Sequence, residues 1–147
     1  MDKYKDLVDL VINSELKGHP RHEILLSLGD TPLPLIQNAE FPDLKLIMTG
    51  DVISKACFDH GISTSILKEL PAILAEPKAI FSSATLPDSS VVLTFHFKNG
   101  SPIIVPVHKN QPVGRGHRVN RVASVYAKEG PDPVIKWTAD GLLIWEK

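Results

Sequence analysis

The chain has 147 residues, 43% hydrophobic and 22% charged, with a net charge of -1, the composition of one folded domain large enough for a real core. Its longest apolar runs, VVLTF and PIIVPV, are far too short to span a bilayer, and MDKYKDLVDL lacks the basic start and continuous apolar stretch of a signal peptide. The expectation is a protein with no membrane segment, which starts in the cytosol or is carried elsewhere by something outside this sequence. A single cysteine, Cys57, excludes an internal disulfide and a multi-thiolate zinc site. Its setting in SKACFDH reads as a buried, inert thiol.

DKYKDLVDLVINSEL places Tyr4, Leu7, Val8, Val11 and Ile12 at helical spacing, so the chain opens with an amphipathic helix. GHPRHEILLSLGD predicts a second short helix after Pro20, closed by Gly29. TPLPLIQNAEFPDLKLIMTGD, with three prolines, reads as an extended connector leading to a brief strand at Leu44–Met48. Thr49 or Asp51 then caps a helix through VISKACFDH that ends at Gly61. Ser63 caps STSILKELPAILAEP, which Pro71 breaks or kinks.

From Lys78 the pattern changes to strands. KAIFSSA and SVVLTFHFK are separated by the turn TLPDS, and HFKNGSPIIVPVH is a hairpin through Asn99-Gly100. VNRVASVYA supplies a fourth strand, DPVIKWTAD a short helix stopped by Gly141, and LLIWEK a last strand. The predicted fold class is α+β, N-terminal helices followed by a twisted antiparallel sheet of four or five strands. One domain spans 1–147, with a helical part and connector at 1–43 and the core at 44–147.

The near-neutral total hides an uneven charge. Residues 1–50 carry five Lys/Arg against eight Asp/Glu, whereas residues 96–147 carry eight against four. Val105–Lys128, VPVHKNQPVGRGHRVNRVASVYAK, holds two histidines, five Lys/Arg and no carboxylate. Solvated surfaces normally mix signs, so this segment reads as a face for an anion.

Several chemistries are set aside. GRG at Gly114–Gly116 lacks the spacing and the following helix of a phosphate-binding glycine motif. HExxH and GxSxG are missing, and His19 with His22 in GHPRH has no supporting Cys or carboxylate pattern. What remains suits a phosphodiester. Transfer within RNA needs a base for the 2′-hydroxyl, an acid for the leaving 5′-oxygen, and donors for the phosphate oxygens.

His108, at a strand end bordering the basic loop, suits either proton-transfer role; it also reads as a histidine that merely closes a hydrogen bond there. In VNRVASVYAK a continuous strand would put Asn120, Ser124 and Tyr126 on one face and Arg121 on the other. Tyr126 and Ser124 are also ordinary sheet residues. His60 and Lys55 are five apart, roughly 140° round an α-helix, and converge only if the helix unwinds at His60-Gly61. Otherwise His60 is a C-terminal histidine favoured by the helix dipole. No Asp or Glu adjoins His108 and Asn110 in the sequence, and the basic surroundings repel a cation, so no metal and no cofactor are expected.

The run DLKLIMTGDVISKACFDHGISTSILKELPAILAEPKAIFSSATLPDSSVVLTFHFKNGSPIIVPVHKN, continuing to HRVNRVASVYAKEG and GLLIWEK, resembles the C-terminal domain of MuF-type phage proteins and related polymorphic toxins. The likeness extends from about Leu28 to the end, and its most specific elements are KACFDHG, LKELPAILAEPKAIFSSAT, PVHKN and VNRVASVYAK. That family is grouped with phage nucleases of the barnase, EndoU, colicin and RelE-like fold. The resemblance implies helices followed by a four-stranded antiparallel sheet and a metal-independent ribonuclease, often a toxin acting on tRNA or other cellular RNA. By position, the family's recurrent polar residues fall on Lys55, His60, Ser83, His108, Asn120, Arg121, Ser124, Tyr126 and Lys128.

The expected function is an endoribonuclease toxin working by 2′-hydroxyl transesterification. His108, His60, Lys128, Tyr126 and Ser124 are its expected catalytic residues. Lys55, Asn120, Arg121, Arg118, Lys109 and Ser83 are its expected substrate-binding residues. The alternatives are a non-catalytic nucleic-acid-binding module of a phage structural or packaging protein, and a protein-interaction domain whose basic loop docks an acidic partner. RNA is the expected substrate. A cognate immunity protein, acidic on its docking face and covering Lys109–Arg118, is the expected restraint.

Overall fold

The structure, a computed structural model, describes residues 3–147. Helix α1 (Lys3–Leu16) buries Tyr4, Val8, Val11 and Ile12 along one stripe, as the apolar spacing requires; Asp2 lies outside the described residues. The Tyr4 hydroxyl donates to the Leu67 carbonyl at 2.6 Å, and Lys68 pairs with Asp9 at 2.8 Å. These contacts fix α1 against α4 (Thr64–Lys68).

The segment after Pro20 is a strand rather than the predicted helix. In β1 (Leu25–Asp30) Leu26 is fully buried while Leu25 is exposed, an alternation of two. The sequence ILLSL satisfies either period, and antiparallel pairing with β2 (Lys45–Thr49) decides between them. The connector is likewise not fully extended, because it contains α2 (Leu33–Ala39). Pro32 at the cap and Pro34 in the first turn sit where a missing N–H breaks no helical bond.

Helix α3 (Gly50–Ser54) runs on as a π-helical turn, Lys55–Asp59, in which the His60 N–H donates to the Lys55 carbonyl at 2.9 Å. Gly61, at φ +65°, turns the chain out. Pro71 divides the next helix into α4 and α5 (Leu70–Ala75), and the Ser63 hydroxyl accepts from the Ile66 N–H at 3.3 Å as its cap.

Strands β3 (Ala79–Ser82), β4 (Ser89–Lys98) and β5 (Ser101–Pro112) form the expected meander. Asn99 and Gly100, at φ 51° and 83°, make the tight turn between the last two. The next strand is broken into β6 (Arg118–Val122) and β7 (Tyr126–Ala127), both on the same edge of β5. Pro106 explains the break: its carbonyl accepts from the Ala123 N–H at 2.8 Å, but it has no N–H to return. Helix α6 (Pro133–Ala139) and β8 (Leu143–Glu146) complete the chain.

The fold is α+β, but its sheet has eight strands in the order β1-β2-β6-β5-β4-β3-β8, with β7 also on β5. Four or five strands was therefore too few, and the sheet is mixed, since β2 and β6 run parallel. The shortfall comes from reading β1 as helix, from leaving the brief strand at β2 out of the sheet, and from the division of the fourth strand.

The sheet separates two apolar layers. Ile80, Val92, Ile103, Val105, Val107 and Val122 point inward to the main core, which the helices from α1 to α5 close. Ala79, Phe81, Leu93 and Ile104 point outward to a smaller core under α6, where Phe81 meets Trp137 edge to face with centroids 5.2 Å apart.

Candidate functional site

On the outer face, beyond the end of the smaller core, three neighbouring strands place one polar side chain each in a row. Ser89 on β4 is paired with His108 on β5, and His108 is paired with Arg121 on β6. Registered partners in antiparallel strands share a face, so the three side chains stand side by side. The Ser89 hydroxyl and His108 Nδ1 share a short hydrogen bond. This fixes the ring and leaves Nε2 without a protein hydrogen bond among the described residues.

A β-bulge adjoins the row. Between His108 and Gln111 the β5–β6 register slips by one residue, and Asn110 takes a left-handed φ of 55°. The slip returns Gln111 to the face of His108. Three bonds hold the bulge: the Asn110 N–H donates to Asn120 Oδ1 at 3.0 Å, and Arg118 donates from Nε to Asn110 Oδ1 at 3.0 Å and from Nη2 to its carbonyl at 2.6 Å.

Ser89, His108, Gln111 and Arg121 line an open groove of about 270 Å³, whose far wall is Leu86, Pro87 and Asp88. The Ser83 hydroxyl accepts from the N–H groups of Thr85 and Leu86 at 3.3 and 3.1 Å, shaping the loop that carries this wall. Asp88 thus lines the same groove as His108, although sequence proximity suggested no carboxylate there.

Burial, and then the Arg121 guanidinium, push the His108 pKa below its ordinary 6.5 and favour the neutral imidazole. Arg121 is half-buried, and among the described residues no carboxylate forms an ion pair with it. A cation so placed attracts an anion into the groove, and the imidazole beside it is poised to accept a proton.

The other expected site residues are scattered. Asn120 points inward, fully buried, and donates from Nδ2 to Thr31 Oγ1 at 2.8 Å and to the Pro42 carbonyl at 2.9 Å. It is a tie between the sheet and the connector. It does not share a face with Tyr126, which packs on the outer core, nor with Ser124, which lies in the break between β6 and β7. Lys109 also leaves the row, donating from Nζ to the Ala39 carbonyl at 3.0 Å with its ammonium 5.3 Å from the Phe41 ring centroid. Of the cations proposed to meet an inhibitor, Lys109 and Arg118 are therefore engaged within the fold, while Arg115 is exposed.

His60 packs on Tyr126, ring centroids 5.7 Å apart, and Tyr126 is registered with Ile104. Four residues along β5 separate that position from His108, about 13 Å at strand spacing. The two histidines are not brought together. Lys128, whose N–H donates to the Pro102 carbonyl, is further along still.

Lys55 lines a separate cavity of about 570 Å³ with Glu15, His22, Asp51, Ser54 and Phe58. There His22 Nε2 and Glu15 Oε1 are 2.8 Å apart, and His22 first, then the nearby Ser54 hydroxyl, lower the Glu15 pKa. Burial raises the Cys57 pKa, which disfavours a thiolate. Sequence reasoning missed Ser89, Gln111 and Asp88. The tight Asn99-Gly100 hairpin would set Val91 opposite His108, and only the register shift between Leu93 and Phe97 brings Ser89 there.

Fold and groove define an α+β domain with a histidine and an arginine, the latter without an ion-pair partner among the described residues, displayed on the part of the outer sheet face that α6 leaves uncovered. Residues 51–147 match the family model described as the phage MuF C-terminal domain, and the chain belongs to that family. All the expected site residues fall within the matched span. No curated protein and no solved structure matches the chain. Among the described residues no helix is long and apolar enough to cross a membrane.

Proposed function

We propose that this domain is a ribonuclease that cleaves RNA by internal attack of the 2′-hydroxyl. The observation that carries the reading is the Ser89–His108–Arg121 row: an imidazole oriented by a hydroxyl and favoured in its neutral form, next to a cation with no carboxylate partner among the described residues. In this mechanism His108 takes the 2′-hydroxyl proton through Nε2. The 2′-oxygen forms its bond to phosphorus as the bond to the leaving 5′-oxygen breaks, that oxygen takes a proton from water in the open groove, and Arg121 holds the phosphate charge that builds up. Products end in a 2′,3′-cyclic phosphate and a free 5′-hydroxyl, and DNA is spared because it lacks the nucleophile.

The test is purified protein with total cellular RNA in excess EDTA. Expected are new discrete ends whose 5′-hydroxyls a kinase labels directly. Activity lost in EDTA and restored by Mg²⁺, or 5′-phosphate ends, would replace this mechanism with a metal-dependent one. Binding without cleavage would leave a nucleic-acid-binding module.

The pH profile tests the role of His108. A base acts unprotonated, so the rate should rise with pH through a midpoint below 6.5 and level off near neutrality. Arg121→Gln removes one of the two causes of the lowered pKa, so its midpoint should lie higher than that of the unmodified protein. A rate that instead falls as pH rises through this range would make His108 the acid.

A further inference from the structure

The outer face carries a second concavity at the opposite end of β5, of about 280 Å³. Phe97, 55% exposed, stands over it beside Leu93 and Pro102, and Lys78 and Lys128 line it. The register pairs Phe97 with Pro102, so the ring is on the same face as His108. The lysines have no carboxylate partner among the described residues. Asp132, also on the wall, accepts from the Val134 N–H at 2.9 Å.

An aromatic ring held in water is a stacking surface, and the two ammonium groups beside it, of which Lys128 donates only to the Glu129 carbonyl at 3.4 Å, supply charge for a phosphate. Together they match a nucleotide, which has a flat base and an anion. Pro102 and His108 lie six residues apart on one strand, about 20 Å. Ile104, between them, is buried in the smaller core under α6, so one single strand that touches both ends passes round α6 rather than straight along β5.

We infer that the Phe97 concavity is a second nucleotide subsite, which holds a base on Phe97 and its phosphate on Lys78 and Lys128 while a more distant linkage of the same strand lies at His108. The inference rests on the RNA-directed reading above. It also gives Lys128 a binding role remote from the bond that breaks.

The probes are a fluorescein-labelled 2′-O-methyl octanucleotide, which cannot be cleaved by this route, and a ribodinucleotide too short to reach both ends. Phe97→Ala should weaken octanucleotide binding by about tenfold or more, and Phe97→Trp should restore it. Lys78→Ala with Lys128→Ala should weaken it further and flatten its salt dependence. Dinucleotide cleavage should be unchanged in Phe97→Ala, since this exposed ring is outside the groove.

Equal octanucleotide binding by Phe97→Ala and the unmodified protein would overturn the subsite, even if dinucleotide cleavage stands. Weakened binding in a protein that cleaves no RNA would keep the subsite and remove the nuclease. An unmodified protein that does not bind the octanucleotide would overturn the subsite, and one that also cleaves no RNA would overturn both.

Discussion

Replacing His108 by alanine is expected to lower RNA cleavage by about 10²–10⁴-fold with little change in RNA affinity, because a proton-transfer group acts in the transition state far more than in the ground state. The loss should fall on kcat. His108 is half-buried and its known partner is the Ser89 hydroxyl, so the variant loses one hydrogen bond and should fold. Single-turnover cleavage of labelled RNA, with a thermal melt to confirm folding, measures this. Ser89→Ala should have a smaller effect, since it frees the ring without removing the base. Unchanged turnover in His108→Ala would remove this residue from the mechanism.

Asn120→Ala should have its effect on the fold instead. The side chain is fully buried and satisfies the Asn110 N–H, the Thr31 hydroxyl and the Pro42 carbonyl. Truncation strands partners from three segments, and a cost of about 3 kcal/mol is expected. Urea unfolding with an unchanged slope reads it directly. Asn120→Asp should be no better, because it keeps the acceptor for Asn110 but turns an oxygen toward the Pro42 carbonyl. A substrate contact predicts the reverse pattern, full stability with weakened RNA binding. That result would return Asn120 to the groove.

This contrast shows what the sequence could disclose. The helical stripe of α1, the Pro71 break, the Asn99-Gly100 turn and the strand around Leu46 are local signals, and each appears where it was expected. His108 and Arg121 were also legible, as a histidine and a cation flanking a Gly-rich loop. Their neighbours were not. A strict alternation through VNRVASVYA puts Asn120 with Tyr126, but Pro106 on the adjoining strand interrupts that alternation from outside the segment. Similarly, the ambiguity of ILLSL is resolved by a partner strand twenty residues away. His60 and Lys55 seemed to need an unwound helix to converge; the turn there is π-helical, yet it directs one to Tyr126 and the other to the Glu15 cavity.

The parallel pairing of β2 with β6 has a kinetic consequence. It joins Leu46 and Ile47 to Asn120 and Arg121, a closure of about 74 residues, whereas the β4–β5 hairpin that presents His108 and Ser89 closes through one tight turn. Short closures are fast and long ones slow, because chain entropy is lost before the contact repays it. During folding the β4–β5 hairpin is thus expected to form early, with Ser89 set opposite His108 once the shift between Leu93 and Phe97 is in place, while β6 is locked between β5 and β2 late. Arg121 is held rigidly beside His108 only as β2 closes on β6, so the complete Ser89–His108–Arg121 row is a property of the finished fold and not of the hairpin that carries the histidine.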